Sequence, residues 1–176
     1  MQNKNEWIRK LGEQVEILVA EPMKNHTTFR IGGPADALAL PKTPEEVAEV
    51  VRFCHEHAQP YYVLGNGSNL LVSDEGYRGL VLQLYRNFND IQVNGETITV
   101  QSGAMLAVVA RTAYQTGLTG LEFASGIPGT IGGAVVMNAG AYGGEMKNVL
   151  KEVTVLTKEG EVLAIPAKAL ELGYRT

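Results

Sequence analysis

Nine of the chain's 20 glycines fall between Gly117 and Gly144, and the other 11 are spread over the remaining 148 residues. Glycine gives up more chain entropy on folding than any other residue, so such a cluster needs a local reason. The two available are left-handed backbone and close approach of something to the main chain. The same segment carries one charged residue, Glu122, which does not suit a solvated linker. A loop of this kind, poor in charge and partly buried, must find partners for its N–H groups. The combination predicts a loop folded around a ligand.

The rest of the composition bounds what that ligand and its setting can be. A chain of 176 residues, 45% hydrophobic and 19% charged, is one ordinary domain or two small ones sharing a core. Its longest apolar run, Ala104 to Ala110, is seven residues, too short for a membrane-spanning helix. The first residues lack the apolar core of a signal peptide, so a cytoplasmic protein is expected. The single cysteine, Cys54, excludes an intramolecular disulfide framework and a cysteine-rich zinc site. A net charge of −4 gives no sequence-blind grip on nucleic acid. No nucleic acid, membrane or metal partner is expected.

Periodicity supplies a coarse map. Trp7, Ile8, Leu11, Val15 and Leu18 predict an amphipathic helix over 5–18, and residues 36–41 a short strand. Thr43-Pro44-Glu45-Glu46 is a strong helix start, followed by an apolar face of Val47, Val50, Val51, Cys54 and Ala58. Pro60 ends that helix and Tyr61–Leu64 is the next strand, completing one β-α-β unit. Then come tightly connected strands, Val81–Leu84, Asp90–Val93 and Thr97–Gln101, the last two joined by Asn94-Gly95. A helix from Met105 to Gln115 closes at Gly117, and Val153–Thr157 with Val162–Ile165 forms a late hairpin. The fold class is α+β, divided near residue 85 into 1–84 and 85–176.

Two loops carry the chemistry. Leu64-Gly-Asn-Gly-Ser-Asn-Leu70 follows a strand, and its glycines allow consecutive N–H groups to face inward as an anion-binding nest suited to a diphosphate. A plain strand-exit turn fits the same residues. It is no dinucleotide fingerprint, because Leu70 stands at the third glycine position and no helix follows. In Ser125-Gly-Ile-Pro-Gly-Thr-Ile-Gly-Gly133, Thr130 is a good N-cap for a short helix, whose orphan N–H groups suit an anionic cofactor. The alternative is a glycine-rich packing segment. Cys54, His55 and His57 do not converge on one helix face, so a metal site there is disfavoured. His26 lies in a polar turn with no assigned role.

The run Asn25-His-Thr-Thr-Phe-Arg-Ile-Gly-Gly-Pro-Ala-Asp36, the loop Leu64–Leu70, and Gly126–Ala134 continuing to Asn138-Ala-Gly-Ala-Tyr-Gly143 together resemble the UDP-N-acetylenolpyruvoylglucosamine reductase (UDP-N-acetylmuramate dehydrogenase) family. The resemblance implies a two-subdomain FAD-binding fold of the vanillyl-alcohol oxidase type, with the cofactor, non-covalent FAD, between the subdomains. It places Gly65, Asn66, Gly67, Ser68, Asn69 and Leu70 on the FAD diphosphate. It places Ser102, Gly103 and Ala104 against the cofactor. Ser125, Gly126, Ile127, Pro128, Gly129, Thr130, Gly132 and Gly133 would wrap it from the other side, with Asn138, Ala139 and Tyr142 following. Tyr174 and Arg175 match a Tyr-Arg pair that binds substrate, the arginine being catalytic.

The implied reaction carries hydride from NADPH to the flavin, and from there to UDP-N-acetylglucosamine enolpyruvate, in peptidoglycan synthesis. An arginine beside the enolpyruvyl carboxylate would stabilise the charge that develops there. The family's proton-donor serine and partner glutamate lie downstream of the Tyr-Arg pair, whereas this sequence stops at Thr176. An FAD-binding portion without the substrate-binding domain, inactive by itself, is therefore expected. The alternatives are a flavin-dependent alcohol or sugar oxidase of the same fold and a non-catalytic flavin- or nucleotide-binding module.

Overall fold

The computed structural model describes residues 4–173. They form two compact units, residues 4–87 with 156–161 and residues 88–155 with 162–173.

The first unit begins with α1 (Lys4–Gly12), which buries Trp7, Ile8 and Leu11. The expected continuation to residue 18 does not occur. The N–H groups of Gln14 and Val15 both return to the Leu11 carbonyl, and the chain re-emerges as β1 (Ile17–Val19). Gly12 is a poor helix former and the β-branched Ile17 and Val19 favour a strand, so Leu18 fits the helical spacing only by coincidence. β1 runs antiparallel to β2 (Ala35–Ala39), with Leu18 opposite Leu38. The start of α2 (Pro44–Glu56) is as expected: Thr43 Oγ1 accepts the Glu46 N–H at 3.2 Å. The Glu46 carboxylate reaches one residue further back, to the Lys42 N–H.

After β3 (Tyr61–Leu64), the expected Val81–Leu84 strand is longer and belongs elsewhere. It is β4 (Tyr77–Gln83), inserted between β2 and β3 and parallel to both, giving the order β1-β2-β4-β3. Leu80 to Gln83 are all buried, as a central parallel strand requires when both sheet faces are covered. On one face Leu80 and Leu82 pack with Trp7, Leu11, Val50 and Cys54. On the other, Val81 packs with Met23, Leu38 and Leu64. Each such fully buried aliphatic side chain contributes about 1.5–3 kcal/mol.

The second unit is built from hairpins and short helices. β5 (Ile91–Asn94) and β6 (Thr97–Val100) pair with Asn94 opposite Thr97, so the turn residues are Gly95 and Glu96, one position later than expected. α3 (Leu106–Gln115) closes at Gly117, whose φ of 73° is the usual left-handed helix exit. α4 (Ile131–Val136) follows, then the small hairpin β7 (Gly140–Ala141) and β8 (Gly144–Glu145), and the pair β9 (Glu152–Leu156) and β10 (Val162–Pro166). Leu106, Ala110, Phe123, Ala124, Ala134 and Met146 make its core. Among the described residues, no helix is long and apolar enough to cross a membrane.

Candidate functional site

The first glycine loop leaves the carboxyl end of β3 beside the carboxyl end of β4, where open α/β sheets usually present ligand sites. Three residues outside the loop shape it. The Gln83 amide, 3% exposed, donates through Nε2 to the Gly65 carbonyl at 3.2 Å. Thr28 donates its N–H to the Gly67 carbonyl at 3.1 Å. Gly67, with φ of 71°, lies so close to the 26–28 turn that a Cβ would overlap the His26 carbonyl oxygen. The described peptide bonds are all trans, so a carbonyl and the N–H that follows it point in opposite directions. Holding the Gly65 and Gly67 carbonyls against Gln83 and Thr28 therefore turns the N–H groups of Asn66 and Ser68 the other way. Among the described residues, the Asn66 N–H meets no main-chain carbonyl. Leu70 packs its side chain into the Met23–Val81 core and offers only backbone.

His26 completes this arrangement. Its Nδ1 lies 2.8 Å from Gln83 Oε1 and its Nε2 lies 2.9 Å from Glu21 Oε1. Burial opposes ionisation of Glu21, but hydrogen bonds from His26 and Asn25, with the His26 charge, outweigh it and hold the carboxyl below its ordinary range. Sequence reasoning did not find Gln83, Thr28 or this use of His26. The long-range contacts, 57 residues apart for His26 and Gln83, leave no local signal.

In the second unit, two of the expected segments are laced together. Leu106 donates to the Gly129 carbonyl, Ile131 to that of Ala104 and Gly132 to that of Ser102, at 2.8–2.9 Å. Gly103 and Ala104 are buried beneath this contact. Thr130, 2% exposed, caps α4 by accepting the Gly133 N–H at 3.4 Å. At six residues α4 has little macrodipole, so the segment's capacity for an anion rests on exposed N–H groups more than on the helix.

The glycines here differ in purpose. A Cβ on Gly132 would lie 2.8 Å from Ser102 Cβ and 2.9 Å from Ser102 O, so this glycine is required by its close packing on Ser102. Gly126 is exposed with nothing within 4 Å of a Cβ, and among the described residues the N–H groups of Gly126 and Gly129 meet no main-chain carbonyl. Ser125 Oγ donates to the Glu122 carbonyl at 2.9 Å, while Ile127 packs on the Leu106–Phe123 core and Pro128 is exposed.

Asn138 is 1% exposed and fully engaged. Its Nδ2 donates to Glu145 Oε2 at 2.7 Å and its Oδ1 accepts the Lys147 N–H at 2.9 Å. The neighbouring Lys147 side chain, opposed by burial and helped by Asn138, holds the Glu145 carboxyl below the usual range. The Ala139 main chain joins the same hairpin by accepting the Met146 N–H. Tyr142 and Gly143, at φ of 52° and 84°, form the two-residue turn between β7 and β8, and Tyr142 is 98% exposed. They border a cleft of about 400 Å³ with Glu122 and Phe123. Tyr174 and Arg175 lie outside the described residues. Cys54 is buried in the first core, which pushes its thiol up to about 11. His57 stacks on Phe53 and bonds to its carbonyl.

Residues 35–165 match the family described as FAD binding domain. The chain belongs to the FAD binding domain family. Its fold is of the vanillyl-alcohol oxidase type, and FAD is the cofactor. The sequence is 48% identical over 171 residues to a UDP-N-acetylenolpyruvoylglucosamine reductase of Alkaliphilus metalliredigens, covering 97% of this chain and 56% of that protein. The crystal structure of the corresponding reductase from Thermus caldophilus superposes with a TM-score of 0.75 at 38% identity, covering 92% of this chain and 55% of that one. A chitooligosaccharide oxidase shares the fold at a TM-score of 0.69 and 18% identity, covering 94% of this chain and 37% of its own. The chain thus spans about half the length of the reductases it matches.

The residues of both units fit FAD. Each glycine segment of this FAD binding domain offers neutral main-chain donors, the Asn66 N–H in one and the Gly126 and Gly129 N–H groups in the other, none of which meets a main-chain carbonyl among the described residues.

Proposed function

We propose that this chain is the FAD-binding portion of an NADPH-dependent reductase that converts UDP-N-acetylglucosamine enolpyruvate to UDP-N-acetylmuramate in peptidoglycan synthesis, in the cytoplasm. Residues 1–84 and 85–176 are its two FAD-binding subdomains. The observation that carries the reading is the pairing of two donor-rich glycine segments with 48% identity to a reductase along nearly the whole chain. FAD supplies the hydride relay between NADPH and the enolpyruvyl double bond. Gly65 to Asn69 offer N–H groups to the FAD diphosphate, and Gly126 and Gly129 carry further N–H donors for FAD. The carbonyls of Ser102 and Ala104 hold the second segment in shape by accepting its Gly132 and Ile131 N–H groups, and the buried Gly103 lies between them. Tyr174 and Arg175 contact the substrate, with the guanidinium opposing charge that develops on its carboxylate.

Non-covalent attachment accords with the histidines, since both ring nitrogens of His26 are already engaged. The oxidase alternative has likeness of fold alone to support it. The test is spectroscopic and then kinetic. Protein incubated with FAD and freed of excess should absorb in the near ultraviolet and blue, and denaturation should release all of the colour. NADPH oxidation by the full-length protein should require the enolpyruvyl substrate and should stop in Arg175→Ala while the flavin remains. A colourless protein, or turnover of an alcohol or sugar with oxygen instead, would overturn the proposal.

A further inference from the structure

Glu21, His26 and Gln83 form a hydrogen-bonded chain that ends on the first glycine loop, at the carbonyl of Gly65. The chemistry of its two ends fixes the protons within it. Gly65 presents a carbonyl and can only accept, so the Gln83 amide must turn its NH₂ there and its Oε1 toward His26. His26 Nδ1 must then carry a proton. At the other end a carboxylate also only accepts, so one further proton has to lie between Glu21 and His26 Nε2. If that proton leaves, two lone pairs face each other at 2.9 Å and the chain loses its far anchor. Glu21 is the titratable group facing His26 among the described residues; from β4 the facing group is the neutral Gln83, and Asn25 bonds to Glu21 from the same turn.

We propose that this chain is a positioning relay for the diphosphate loop: the shared proton holds His26, His26 holds Gln83, and Gln83 turns the Gly65 carbonyl away so that the Asn66 N–H faces the diphosphate of FAD. This rests on the FAD-binding reading and adds to it a residue set and a dependence on pH. None of the three side chains touches the cofactor; they act through the Gly65 peptide. FAD affinity therefore falls when the proton shared by His26 and Glu21 is lost.

The decisive variant is Glu21→Gln. Its amide NH₂ donates to a neutral His26 Nε2, so the relay keeps its geometry without the shared proton. Titration of apo protein with FAD over a series of pH values, followed by flavin fluorescence, should give near-wild-type affinity at mildly acid pH and a flat profile above it, where the wild-type affinity falls. Gln83→Leu should weaken FAD binding at least about tenfold at every pH, the loss of one buried hydrogen bond to the loop. Wild-type protein that fails to bind FAD would refute the function proposed above. Wild-type protein that binds FAD with no pH dependence, or a Glu21→Gln variant that keeps the wild-type slope, would refute the relay alone. Should Gln83→Leu not fold, the Glu21→Gln profile decides the question.

Discussion

The loop after β3 and the segment from Ser125 to Gly133 are both glycine-rich, and they owe their shapes to different neighbours. In the first, distant residues impose the conformation: Thr28 and Gln83 hold the carbonyls, and Gly67 is glycine because the His26 carbonyl leaves no room for a side chain. In the second, the 102–106 loop does so through three hydrogen bonds, one donated by Leu106 and two accepted by the Ala104 and Ser102 carbonyls, with Gly132 seated on Ser102. In that segment Gly126 is exposed with nothing near an added Cβ, and among the described residues its N–H meets no main-chain carbonyl. Glycine content therefore marks where backbones come close, and only some of those approaches involve a ligand.

Substitutions can break this contrast, and their effects should fall in a definite order. Gly67→Ala combines a left-handed backbone with overlap on a main-chain oxygen that cannot swing away, and should cost about 3 kcal/mol or more. Urea unfolding monitored by circular dichroism measures it, and FAD retention should vanish with it. Gly132→Val should cost about 2–3 kcal/mol by overpacking against Ser102. A variant of full stability that merely lost FAD would return Gly132 to a ligand-facing role. Thr130→Ala removes the cap of α4 and should cost about 1 kcal/mol, seen as a lower unfolding midpoint. Gly126→Ala should change stability by less than about 0.5 kcal/mol, because nothing stands near the new methyl. It should still weaken FAD binding, measured by fluorescence titration, and unchanged affinity would detach Gly126 from the cofactor.

What could be read from the sequence was local. Thr43-Pro44 announced α2, Thr130 announced α4 and Gly117 closed α3, because caps and exits act within a few residues. The misreadings have physical reasons too. Leu18 suits both a helical stripe and the inner side of a strand, and only Gly12 before it argues for a break. Asn94-Gly95 signals a hairpin, but strand register put Gly95-Glu96 at its tip. The place of β4 between β2 and β3 follows from pairing across the sheet, which periodicity within one strand does not encode. The same holds for the site. The two loops were visible as glycine patterns, whereas Gln83 looked like the end of an ordinary strand and His26 like a surface turn residue. Their roles exist only once the sheet has brought them together.

That late-arriving strand also sets a timetable. β2 and β3 are both made before β4, yet neither pairs with the other, so a nascent chain ending near Gly76 holds two strands with a vacant slot between them. Parallel neighbours joined only through a third, distant stretch fold more slowly than hairpins do. The first glycine loop can acquire its final form only after Gln83 has left the ribosome and β4 has slid into place, while the hairpins of the second unit can form as soon as each is synthesised.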